Sequence, residues 1–172
     1  MKNIIKDFTN KVVRKPSRTL VVSFDQPIIT EGFIGLLNTT QINNGSQFLV
    51  FDNIENSKVV FNNLKDANFK VRFAHYRIFF TMLGIEDTAN YNDIKEQHIN
   101  WITINSDADV LYYKQYKKNG VFSGCGDFTI DTKESMDKLL DKNLLKNYNF
   151  NNYNGIYYRY NKKTSIEQFT VL

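Results

Sequence analysis

Cysteine occurs once in the 172 residues, as Cys125, so the chain cannot close an internal disulfide. A soluble protein of a reducing compartment, cytoplasm or nucleus, is the expectation that follows. No apolar run comes near the roughly 20 residues that a bilayer crossing needs, and the opening MKNIIKDFTNKVVRK is too polar for a secretory segment. The two histidines, His75 and His98, have no Cys or carboxylate at metal-ligand spacing. There is no Walker loop, no G-x-S-x-G and no dinucleotide fingerprint. No catalytic residue, metal or cofactor is therefore assigned, and the protein is expected not to be an enzyme. Two enzymatic arrangements stay open. Cys125 could meet a histidine in space. Asp107, Asp109, Asp127 and Asp131 could gather as the carboxylate cluster of a small metal-dependent nuclease, although no established spacing ties them together.

What is present reads as a globular protein, with 42% apolar and 23% charged residues. The net charge is +4, and its placement says more than its size. Through residue 18 the chain carries Lys2, Lys6, Lys11, Arg14, Lys15 and Arg18 against Asp7 alone, a balance of +5, so the remainder sums to −1. A basic arm so concentrated attracts an anionic partner through counterion release and electrostatic steering. A solubilising tail, or a segment docked on an acidic protein, is the plainer alternative. Asparagine occurs 22 times, and Lys, Ile, Tyr and Phe are plentiful. These residues have A/T-rich codons, so the bias points to a low-GC genome, such as that of a large DNA virus, more than to a function.

A strand-helix unit is said twice. GSQFLVFDNIENSKVVFNNL begins at Gly45 and GDFTIDTKESMDKLLDKNL at Gly126, and aligning Asp52 with Asp131 sets the copies 79 residues apart. In each, alternating residues (Leu49 and Phe51, then Phe128 and Ile130) point to one face of a strand. An acidic residue with glutamate three places on then opens a helix. Its apolar stripe is Val60, Phe61 and Leu64 in one copy and Met136, Leu139, Leu140 and Leu144 in the other. Upstream strands are read in RTLVVSF and NWITIN, and helices in ITEGFIGLL and DADVLYYKQYKK. Hairpin turns are expected at Asn43-Asn44-Gly45 and near Ser123 to Gly126. Closing strands are read in NFKVRFAHYRIFF and NGIYYRYNK. The order per copy is β-α-β-β-α-β, so the fold class is α+β: two tandem split-βαβ units, each an antiparallel sheet with helices on one face and the other face open.

In this pattern the chain resembles the RNA-recognition motif family twice. NGSQFLVF resembles the family's strand-three motif, with Gly45 in the glycine place, Phe48 in a stacking place, and Leu49 and Phe51 in core places. Ser46 and Val21 stand where stacking aromatics are usual. The second copy keeps Gly124 and Gly126, but it puts Cys125, Asp127 and Thr103 in the outward places, with Tyr157 and Arg159. The resemblance implies a basic arm over residues 1–17, a first domain over 18–82, a linker over 83–98, a second domain over 99–163 and a tail over 164–172. It implies binding of single-stranded RNA or another nucleic acid through Arg14 and Lys15 of the arm, Arg18 at the start of the first domain, and Phe48, Lys70 and Arg72 of the first sheet. The second sheet, where Asp127 would repel phosphate, is expected to meet a protein partner or a second copy. The alternative is a structural or interaction protein whose RNA-recognition-like folds serve self-assembly or partner binding.

Overall fold

The computed structural model describes residues 14–23, 28–42, 45–86, 89–141, 147–150 and 153–159. Most of the basic arm and the tail over 164–172 lie outside the described residues. The architecture is α+β: two antiparallel sheets, of four and five strands, and three helices among the described residues. The chain divides into two compact units, Met1–Ala74 and His75–Leu172.

The first unit runs β1 (Thr19–Ser23), β2 (Leu36–Ile42), β3 (Ser46–Phe51), α1 (Ile54–Asp66) and β4 (Lys70–Phe73), in the sheet order β2-β3-β1-β4. Strand β3 is antiparallel to both β1 and β2. Those two therefore run parallel with β3 between them, as a split βαβ requires. Alternation sends Leu20, Val22, Leu49, Phe51 and Phe73 to the helix-covered face, where they are buried with Val60 and Leu64 of α1. The helix starts where Asn53 Oδ1 accepts the Asn56 N–H at 2.9 Å. The cap is one residue later than the aspartate expected for it, because Asp52 instead accepts from the Asn56 side-chain amide at 2.8 Å.

The helix expected in ITEGFIGLL does not form. Turns take its place, with Phe33 N–H donating to Thr30 O and Leu36 N–H to Phe33 O. Gly32 and Gly35 both have positive φ, +88° and +73°. Two glycines in so short a segment each cost a helix about 1 kcal/mol relative to alanine. Gly35 also lies so close to Asp52 that a Cβ there would collide with the carboxylate. Phe33 packs on the core, whereas Ile29 and Leu37 are 80% and 67% exposed.

The second unit runs β5 (Tyr76–Leu83), α2 (Tyr91–Ser106), β6 (Val110–Lys118), β7 (Val121–Ile130), α3 (Lys133–Leu140), β8 (Asn147–Phe150) and β9 (Tyr153–Arg159). Its sheet order is β6-β7-β5-β9-β8, the order of the first unit with β8 added at the edge. The core gathers Ile78, Phe80, Ile102, Phe128, Ile130, Leu139 and Tyr157. At its centre His98 is fully buried, its ring nitrogens bonded to the Tyr113 hydroxyl at 2.7 Å and the Tyr157 hydroxyl at 2.6 Å. The helix α3 is capped by the Thr132 hydroxyl, which accepts from Ser135 N–H at 3.2 Å. Thr132 lies 79 residues after Asn53, so the repeat register holds through strand and cap.

Three elements of this unit differ from their sequence reading. NWITIN is the end of α2 and not a strand, and the helix begins in the segment expected as a linker. Its buried stripe is Ile94, His98, Ile102 and Ser106, and Ile104 is 80% exposed. VLYYKQYKK is strand β6 and not a helix. Its hairpin with β7 turns at Asn119 (φ +53°) and Gly120 (φ +78°), between the paired Lys118 and Val121, and not at Ser123 to Gly126. NFKVRFAHYRIFF is two strands, not one. The chain leaves the first sheet at Ala74, whose N–H donates to Thr19 O at 2.8 Å, and β5 pairs with β7 and β9 in the second sheet.

Candidate nucleic-acid interface

The open face of the first sheet is built by β-strand alternation. Cross-strand pairing lines up Thr40, Phe48, Val21 and Arg72 in one row across all four strands. A second row holds Ser46, Ser23 and Lys70. Phe48 and Arg72 thus flank Val21 from opposite sides, two strand spacings or about 10 Å apart. The five residues expected to face outward do share this face. Their exposure differs, however. Lys70 and Arg72 are exposed, Ser46 and Phe48 are half-buried, and Val21 is buried at 5%. No carboxylate lies on this face among the described residues of β1–β4, so its potential is set by the two cations.

Of the arm residues, Arg14 and Lys15 are exposed and Arg18 is half-buried. They lead directly into β1, anchored by Ser17. Its hydroxyl donates to Ala74 O at 2.7 Å and its carbonyl accepts from the Ser57 hydroxyl at 2.7 Å. The Arg14 guanidinium reaches Phe73 O at 3.5 Å, at the end of the same strand that carries Lys70 and Arg72. Arm and strand cations therefore belong to one unit and adjoin one sheet.

The second sheet has a different open face. Phe79 of β5 stands opposite Asp127 of β7 and Tyr158 of β9, in the row that corresponds to Val21, Phe48 and Arg72. Asp127 is held by a bidentate pair with Arg77, at 3.0 Å to Nε and 2.9 Å to Nη2, and also accepts from the Tyr116 hydroxyl. Its negative charge is thereby matched on the spot, which removes the phosphate repulsion expected from it. Burial, with the hydrogen bond to Asp127 and its charge, holds the Tyr116 hydroxyl well above the usual tyrosine range. Phe79 packs between Tyr158, stacked at 5.6 Å, and Tyr116, edge-on at 6.2 Å. Thr81 bonds the Tyr158 hydroxyl at 2.9 Å.

Reading the sequence alone missed this cluster because it placed strand one of the second copy at NWITIN. Thr103, expected on the open face, is on α2 and donates to Ile99 O at 3.0 Å. Tyr157, also expected outward, is fully buried in the core, and Tyr158 takes the outward place. Arg159 is exposed but pairs with Ile78, a core-facing position of β5. The usable signal was YRIFFT itself, whose Arg77, Phe79 and Thr81 alternate against Ile78 and Phe80.

Cys125 is on the open face, 3.7 Å from the Thr81 hydroxyl, whereas His98 packs on Phe80 and Phe128 on the helix side of the same sheet. Asp131 is buried, accepting the Asp109 N–H, and Asp127 is committed to Arg77. Among the described residues, no group of three or more His, Cys, Asp and Glu side chains is placed to hold a metal ion, and no helix is long and apolar enough to cross a membrane. Neither the models of known protein families nor the sequences of curated proteins give a match to this chain.

Proposed function

We propose that this protein binds single-stranded nucleic acid, RNA in the first instance, through the open face of its first sheet and the basic residues leading into β1. The observation that carries this reading is the cation pair Lys70 and Arg72, exposed on the same face as Phe48, a face without a carboxylate among the described residues. Lys70, Arg72, Arg14 and Lys15 hold phosphates, and the Phe48 ring supplies one stacking platform. The split-βαβ strand order supports the likeness to RNA-recognition motifs, in which such a face takes unpaired bases. Ser46 and buried Val21, in place of further aromatics, make the binding charge-led and poor in sequence preference.

Fluorescence anisotropy of a labelled mixed-sequence single-stranded RNA against the full chain tests this. With about 0.7 counterions released per neutralised phosphate on a single strand, reversing both Lys70→Glu and Arg72→Glu lowers the salt slope by about 1.4. Phe48→Ala weakens binding by about 5- to 150-fold, corresponding to 1–3 kcal/mol for one stacked base. Circular dichroism confirms that each variant is folded. An affinity that ignores both changes removes the face from consideration.

A second reading applies to the second unit alone. Its open face pairs Arg77 with Asp127, carries exposed Lys114 opposite Asp127, and offers half-buried Tyr116 and Tyr158 with Ile156, which is 43% exposed. That aromatic and apolar area, with its only carboxylate among the described residues held by Arg77, suits a protein partner.

A further inference from the structure

The four sheet edges are not equally defended against another strand. An edge presents a row of N–H and C=O groups that pair with any extended chain, and proteins blunt it with short strands, charge, proline or bulges. Strand β4 is four residues long and carries Lys70 and Arg72. Strand β8 is also four residues long. Strand β6 carries Lys114, Lys117 and Lys118 and two irregularities in its pairing with β7. Strand β2 stands apart. It is seven residues of LLNTTQI with no charge and no proline. Its one irregularity falls between Leu36 and Asn38, leaving a regular stretch from Asn38 to Ile42. Asn38, Thr39, Thr40 and Gln41 are all exposed.

We infer that β2 is a self-association edge: two copies of this chain pair β2 to β2, antiparallel about a two-fold axis near Thr40, joining their first sheets into one. A second copy fits this edge for three reasons. The strand is uncharged, so no like charges meet across the axis, whereas self-pairing at β4 or β6 would set cations against cations. With Thr40 on the axis, Thr40 meets its own copy, Thr39 meets Gln41 and Asn38 meets Ile42, so every opposed pair is uncharged and the centre is a threonine pair. The assembly also closes. Once β2 is paired, the outer edges of the joined sheet are the two β4 strands, short and basic, so growth stops at two copies. At the entry to β2, Ile34 and Leu37 are 65% and 67% exposed, so the strand also begins with uncovered apolar area. This inference rests on the edge of the sheet and is independent of the nucleic-acid reading of its open face.

Light scattering coupled to size-exclusion chromatography of the full chain, from about 1 µM to about 100 µM, tests it, a window suited to an association of micromolar strength. The expected result is a monomer–dimer equilibrium that shifts with concentration. Thr40→Lys, which places two cations on the axis, weakens dimerisation at least about tenfold and leaves the circular dichroism spectrum unchanged. In a Cys125→Ser background, Thr40→Cys forms an intermolecular disulfide under mild oxidation, since directly opposed antiparallel residues lie within bridging range. A monomer at every concentration overturns the inference. So does a dimer that is indifferent to Thr40→Lys and does not cross-link through Thr40→Cys.

Discussion

His98 is a base that the fold keeps neutral. It is fully buried between two tyrosine hydroxyls, and a neutral imidazole has one N–H and one lone pair, so one tyrosine accepts from it and the other donates to it. Burial lowers its pKa from 6.5 to about 3. Above pH 6.5 the imidazole is neutral in both the folded and unfolded chain and costs nothing. As pH falls, the unfolded state takes up the proton first, and the folded state follows only near pH 3. Stability is therefore lost progressively between those two values. At pH 5 the loss amounts to about 2 kcal/mol from this group. Urea unfolding at pH 7.5 and pH 5 measures it, and His98→Gln, which keeps a polar group between the tyrosines, flattens the dependence. An equal pH dependence in the variant would mean that other groups set it.

The hairpin joining β6 and β7 depends on its two turn residues more than on its strands. Asn119 and Gly120 both occupy the left-handed region required by a type I′ turn. A Cβ on Gly120 would meet nothing within 4 Å, so the cost of Gly120→Ala is conformational alone. That cost is about 1–2 kcal/mol, read as a shift in the urea midpoint with an unchanged slope. Asn119-Gly120 is also among the strongest hairpin signals in the chain, and it marks the flanking segments as strands. Once LYYKQYKK is taken as a helix, the turn has nowhere to go and strand one of the second copy is sought at NWITIN. Periodicity was legible where the local and the global pattern agreed. Leu49 and Phe51, and Phe128 and Ile130, follow from residues within one turn of each other, whereas each helix is capped one residue past the aspartate read as its cap, by Asn53 and Thr132. It failed where a polar residue completes an apolar stripe, as His98 does on α2, because only the two tyrosines from distant strands make that position a buried one. It failed again at Ala74, where an unbroken alternation passes from one sheet to the next. The outward places of Phe48, Lys70 and Arg72 were legible. The Arg77–Asp127–Tyr116 cluster was not, because it joins three strands whose pairing no single segment encodes.

Each unit has its own hydrophobic core, one centred on Leu20, Leu49 and Phe51 and the other on Phe80, Phe128 and Tyr157. Doubling a split βαβ thus yields two compact units, each with a folding problem of modest size. Stability in such a chain is local to the unit that holds the buried side chain. Leu49→Ala removes about 2–5 kcal/mol from the first core, and hydrogen exchange read by mass spectrometry shows where the loss falls. Amides of β1, β3 and β4 lose protection, while those of β5, β7 and β9 keep theirs. Phe128→Ala produces the converse pattern. If either substitution opened both sheets to the same extent, the two cores would be unfolding as one cooperative body, and the separate-unit description of the chain would have to be given up.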